Sequence, residues 1–158
     1  MNSTVVKMKK QGSKMKEHLA SSETVDQKIW SLFQMKEQPR ILLYDDDPIF
    51  CDIMAATAKK KNIHLTICRN LNELLRKWES KPDLVLLDCN LDEDLKGQDV
   101  ARLIEKTPVI LISESKPSAS VKDANVKGFI EKVIGPSKLL KRALAEGKKS
   151  EKWSNYCA

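Results

Sequence analysis

Residues 41–50 read ILLYDDDPIF. Four largely apolar residues run into three acids, Asp45, Asp46 and Asp47, and then into a proline and more apolar residues. Three neighbouring carboxylates at the end of a buried strand repel one another, so each needs a cation, a helix end or solvent. Pro48 suits the first position of a helix, which makes Asp47 the expected N-cap. The stretch reads as a strand, an acidic turn and a helix, and the same alternation continues along the chain.

After the strand ILLY (41–44) comes a helical mix over 48–61. IHLTIC (63–68) reads as a strand, and 70–80 as a helix with Leu71, Leu74, Leu75 and Trp78 on one face and Asn70 as its cap. DLVLLD (83–88) is the most strand-like segment, followed by a helix over 97–106. PVILIS (108–113) is a strand, 117–126 a short weak helix, and GFIEK (128–132) a last short strand. The helix over 136–147 opens on Pro136 and closes on Gly147. Five strand-then-helix units imply an α/β fold with a parallel sheet covered on both faces. Right-handed crossovers leave few topologies, and the site of such sheets lies at the carboxyl ends of the strands.

The 158 residues are 41% hydrophobic and 32% charged, which fits a globular domain with some tail. No apolar run approaches the roughly 18–20 residues that cross a bilayer. The first twenty residues carry lysines without an apolar core behind them, unlike a secretory signal. A cytoplasmic protein is expected. Cys51, Cys68, Cys89 and Cys157 are scattered, and His18 and His64 sit in no metal-ligand spacing, so the thiols read as reduced and structural.

The net charge of +6 is uneven. Residues 1–40 hold eight Lys/Arg against four Asp/Glu, and 136–158 hold six against two, a net +4 each. Residues 41–135 hold 14 against 16, a net −2. A mildly acidic middle argues against the whole chain as a nucleic-acid binder. Binding of DNA through the basic ends is a secondary reading that salt sensitivity would expose. Residues 1–38 form a basic, partly helical extension, with a helix over 21–38 capped by Ser22 or Thr24 and an apolar face of Val25, Ile29, Leu32 and Phe33. That face packs on the domain, or serves self-association or a partner. The domain itself spans 39–147, and 148–158 is a basic tail.

The polar residues at the expected strand ends are Asp45 and Asp46, Asp88, Ser113 and Lys132. On parallel, adjacent strands these converge on one edge. Oxygen-only ligands with net negative charge favour Mg2+. A lysine and a hydroxyl beside the metal suit phosphoryl oxygens.

The marks LLYDDD, LVLLDCN, PVILIS and GFIEK, in that order and at that spacing, are informative together. Residues 39 to about 146 resemble the receiver domain of two-component response regulators. The resemblance implies a flavodoxin-like, doubly wound sheet of order 2-1-3-4-5. It implies Asp88 as phosphoacceptor, attacking a phosphohistidine of a histidine kinase or phosphotransfer protein. Asp45, Asp46, Asp88 and the backbone carbonyl of Asn90 would hold Mg2+. Ser113 and Lys132 would each take a phosphoryl oxygen. Ser113 and Phe129, where the family often has tyrosine, would switch and signal to the fourth-to-fifth helix face, between 117–126 and 136–147. The output expected is contact with a downstream protein target, with a homodimer through the N-terminal helix or that face as an option. No output domain fits after 147, no membrane span is expected, and no organic cofactor. Any activity would be limited to self-phosphorylation and autodephosphorylation, which is not that of a conventional enzyme.

The chain departs from the family pattern in three places. The loop after Asp88 reads CNLDEDLKG, with Asp92 where a proline is usual and one extra residue before Gly97. Val133 stands where a cis-proline is usual, and a cis bond there would cost roughly 2.5–4 kcal/mol, so a trans peptide is expected. Glu114 beside Ser113 would crowd or repel a phosphoryl group. Glu114 points to slower phosphorylation or altered dephosphorylation, and the altered loop and Val133 motivate an alternative: a receiver-like binding module that works without phosphorylation. A haloacid-dehalogenase-type hydrolase needs an acid two residues after its nucleophile, and Asn90 is not one.

Overall fold

The alternation of apolar residues within each strand supplies two cores. In the computed structural model, Ile41, Leu43, Leu84, Leu86, Ile110, Ile112 and Ile130 point to one face of a sheet and are buried there. Leu42, Tyr44, Val85, Leu87, Val109 and Leu111 point to the other. A strand buried on both faces reads as a continuous apolar run, which is why ILLY and LVLLD lack polar alternation. The structure describes residues 24, 25, 38–92, 94–116, 123 and 125–149. The chain divides into two units, Met1–Gln38 and Pro39–Ala158, and the whole sheet belongs to the second. Of the helix expected over 21–38 only Thr24, Val25 and Gln38 are among the described residues; Val25 is helical and exposed, and Gln38 lies in a bend.

The sheet holds β1 (Ile41–Tyr44), β2 (Leu65–Cys68), β3 (Leu84–Asp88), β4 (Val109–Ser113) and β5 (Val126–Glu131), in the order β2-β1-β3-β4-β5. Every pairing is parallel. The helices are α1 (Pro48–Lys60), α2 (Leu71–Trp78), α3 (Gly97–Leu103) and α4 (Pro136–Gly147). Met54 and Ala58 of α1 and Leu139, Leu140 and Ala143 of α4 cover one face. Leu74 of α2 and Val100 and Ala101 of α3 cover the other. This is the doubly wound arrangement expected, and its strand order reverses between β1 and β3.

The boundaries differ from expectation for local reasons. β2 starts at Leu65 rather than at residue 63, because Asn62 takes a left-handed φ of 54° and Ile63 N–H turns back to the Ala58 carbonyl. α2 is capped by Asn70, whose side chain accepts from Glu73 N–H, but it ends at Trp78. α3 stops at Leu103, short of 106: the buried amide of Asn125 donates to the carbonyls of Ala101 (2.7 Å) and Ile104 (3.3 Å) and so closes that end. Of the helix expected over 117–126, only Asp123, Asn125 and Val126 are described, and Val126 already belongs to β5. β5 therefore begins two residues early and ends at Glu131. Lys132 is not a strand residue but opens a one-turn 3-10 helix, Lys132–Ile134. Gly147 lies inside the last turn of α4, with Lys148 as its cap.

Candidate functional site

The turn between β1 and α1 separates its three acids. Asp47 caps α1, its Oδ1 accepting from the N–H groups of Ile49 (2.9 Å) and Phe50 (3.3 Å). Its own N–H donates to Asp45 Oδ1 at 2.9 Å. Asp46 faces solvent, whereas Asp45 is fully buried. The cap thus aims Asp45 inward toward the end of the neighbouring strand, β3.

At that end stands Asp88, also buried, and across it Lys132. The Lys132 ammonium lies 2.7 Å from Asp45 Oδ2 and 3.3 Å from Asp88 Oδ1. It also sits 4.5 Å from the centre of the Phe50 ring, a cation–π contact that the first turn of α1 supplies. Although Lys132 follows β5 rather than ending it, Glu131 pairs in register with Ser113, so the turn starts level with the end of β4. Carboxylate oxygens of Asp45, Asp46 and Asp88 fall within 4.8 Å of one another.

The electrostatics follow from burial. Desolvation pushes the Asp88 carboxyl up to about 6, and the Asp45 charge adds to it against the pull of Lys132. Asp45 is also raised, by burial first, with the Lys132 hydrogen bond opposing. Burial would lower Lys132, but its hydrogen bond to Asp45 and the two carboxylate charges outweigh that and raise it. Three carboxylates and one ammonium sum to −2. A divalent cation held by hard oxygen donors matches that charge and spacing, so the residues present fit Mg2+.

The other expected residues surround this pocket unevenly. Ser113 ends β4 and is buried, and its hydroxyl opposes the burial that raises the thiol of Cys89, the residue after Asp88. Asn90 is exposed, bridged to Lys96 across the loop, and its side chain accepts from Lys96 Nζ at 3.4 Å. Phe129 lies two positions in from the edge, paired with Leu111 and packed on the α2–α3 core. Val133 is 74% exposed, and the described residues contain no cis peptide. Glu114 is exposed. The acidic loop is close enough to matter: the Tyr44 phenol is raised by burial first, then by Asp92 and Asp46.

Sequence reasoning missed three neighbours. Phe50 was readable as the aromatic three residues after the cap. Cys89 had no separate signal. Gly97 passes so close to the Asp88 carbonyl that a Cβ there would overlap its oxygen and come within 3.3 Å of Cys89 Cα. The extra loop residue before it masked that constraint. Cys51, Cys68 and Cys89 are free thiols, and burial pushes the first two up to about 11, as suits structural thiols.

A family model described as the response regulator receiver domain matches residues 41–144. The chain belongs to the response regulator receiver domain family. Among curated proteins it is 28% identical over 106 residues to a putative two-component response regulator-like protein, APRR4, of Arabidopsis thaliana. That match covers 61% of this chain but 35% of the relative, so the chain spans about a third of that protein's length. A receiver domain protein of Methanospirillum hungatei, described as CheY-like, aligns with a TM-score of 0.59 at 24% identity, over 73% of this chain and 98% of that one. The response regulator TrrA of Thermotoga maritima, solved in complex with Mg2+ and BeF, aligns with a TM-score of 0.59 at 23% identity, over 68% and 98%. These likenesses establish the fold. Among the described residues no helix is long and apolar enough to cross a membrane.

Proposed function

We propose that this receiver domain accepts a phosphoryl group on Asp88 from a phosphohistidine of a histidine kinase or phosphotransfer protein. One observation carries the reading: Asp45, Asp46 and Asp88 share a pocket with a single ammonium, leaving a net charge of −2. Asp45, Asp46, Asp88 and the Asn90 carbonyl would hold Mg2+, which when bound neutralises the carboxylates and favours approach of phosphoryl oxygens. The Asp88 carboxylate attacks phosphorus, the P–N bond of the donor breaks, and the imidazole leaves with the electron pair. Lys132 turns from Asp88 to a phosphoryl oxygen while still paired with Asp45. The Ser113 hydroxyl donates to another. That shift of Ser113, together with Phe129 two positions further in on the paired strand β5, is the switch. It would reach α4 and the 117–126 segment, and from there a downstream protein.

Exposed apolar residues at this edge support a protein donor. Ile49, 70% exposed, follows the acidic turn, and Val133 follows Lys132. We place the exchange in the cytoplasm. The test is incubation with Mg2+ and acetyl phosphate, read by intact mass. A single phosphoryl adduct that disappears in Asp88→Asn is expected. Its absence, or its persistence in that variant, overturns the reading. Absence would favour instead a receiver-like module that binds its target unphosphorylated, the course suggested by the altered loop and by Val133.

A further inference from the structure

In a parallel sheet every strand points the same way, so every returning helix ends at the edge opposite the carboxylates. α1 reaches that edge with Lys59, Lys60 and its cap Lys61, all exposed. The Ile63 N–H to Ala58 carbonyl bond (2.9 Å) and the Ile41 N–H to His64 carbonyl bond (3.0 Å) fix this end beside the start of β1. α4 reaches the same edge with Lys148 and Lys149, both exposed. A Cβ on Gly128, near the start of β5, would lie 4.0 Å from Glu146 Cγ, which fixes that end too. α1 and α4 pack against each other on one face of the sheet. Lysines far apart in sequence therefore share one corner. Glu146 opposes them, and it pairs with Lys149 at 3.1 Å.

The flanking segments attach here as well. The chain enters β1 from Arg40 at this edge and passes beyond α4 through Lys148 and Lys149. Cations in a last helical turn answer the helix dipole, which accounts for one or two per helix. It does not account for three consecutive lysines closing α1 beside two just past the end of α4.

We propose that this amino edge binds nucleic acid through its phosphate backbone, without sequence preference. Lysines supply point charges suited to phosphate, and no arginine fork is needed to read bases. The large apolar side chains exposed on α1, Ile49 and Ile53, lie on its opposite half, and none is exposed on α4. Among the described residues the corner thus has no apolar anchor of the kind an amphipathic membrane surface uses. The acidic pocket at the far edge repels a polyanion, so binding leaves Asp88 open.

The test uses the full chain and labelled duplex DNA of arbitrary sequence, read by fluorescence anisotropy. The expected affinity falls steeply between about 50 mM and about 200 mM salt. The variant Lys59→Gln/Lys60→Gln/Lys61→Gln weakens binding tenfold or more and flattens the log–log salt slope by about 2.7, for three phosphate contacts. Lys148→Gln/Lys149→Gln flattens it by about 1.8, which keeps the test intact should the first variant fold poorly. Asp88→Asn binds as the unaltered protein does. Undiminished binding by both lysine variants overturns the proposal. So does an unaltered protein that ignores DNA, whether or not it binds phosphatidylserine vesicles or a polyglutamate peptide in parallel.

Discussion

Replacing Asp88 with asparagine should stabilise the metal-free protein. Asp88 titrates at about 6 in the folded chain against 3.8 for an ordinary aspartate. The native state therefore binds more protons than the unfolded state between those values, and stability falls as pH rises through that window. Below pH 4 the group contributes nothing. Above pH 6 the full cost applies, about 3 kcal/mol at 1.36 kcal/mol per pH unit. The amide of the substituted side chain is neutral and nearly isosteric, and Lys132 keeps its closer partner, Asp45 at 2.7 Å. Asp88→Asn in EDTA at pH 7.5 is thus more stable than the unaltered protein by up to about 3 kcal/mol.

The assay is urea denaturation in EDTA from pH 4 to pH 7.5, with the difference between the two proteins as the readout. That difference should be near zero at the acid end and grow through pH 6. Mg2+ supplies a second arm: at a hundredfold its Kd, a ligand of the native state adds about 2.7 kcal/mol. Saturating Mg2+ should therefore recover most of what the substitution gains, and should stabilise Asp88→Asn less. An Asp88→Asn protein that is less stable at pH 7.5 without metal, or a difference that ignores pH, would refute the account of Asp88 as a buried carboxylate held at a cost.

Three further outcomes are expected. Lys132→Met leaves Asp45 and Asp88 without their cation, which should abolish acetyl-phosphate labelling and tighten Mg2+ binding severalfold in a metal titration, since no ammonium then competes. Gly97→Ala forces a methyl group onto the Asp88 carbonyl and should cost about 1–3 kcal/mol in urea melts while slowing labelling, because the displaced loop is the one that carries Asn90. Glu114→Ala removes an exposed carboxylate next to Ser113 and should change the labelling or dephosphorylation rate by about fivefold, the effect of about 1 kcal/mol; equal rates would show that Glu114 is merely solvated.

The sheet was legible because its strands are buried on both faces: apolar runs such as LVLLD admit no other placement once helices follow each of them. Asp47 was legible for a local reason, since a cap needs only its own helix. The misplaced boundaries at α3 and β5 involve partners distant in sequence. α3 ends where Asn125, twenty-odd residues downstream, takes its carbonyls. β5 starts early because Val126 pairs with Val109, a contact that periodicity does not contain.

The pocket shows the same division. Asp45, Asp46, Asp88 and Lys132 could be placed on one edge from strand ends alone, but their inequality could not. The turn makes Asp45 buried and Asp46 exposed from adjacent positions, because the Asp47 N–H holds the first while the cap leaves the second in water. Burial then makes Lys132 the internal counterion of both buried acids. On the proposed function, a phosphoryl group arriving on Asp88 would compete for that ammonium with Asp45, the closer of its two partners. On that reading, the sharing of one cation between two carboxylates bears on how readily the site would take a metal and a phosphoryl group, and the sharing is unequal, 2.7 Å to Asp45 against 3.3 Å to Asp88.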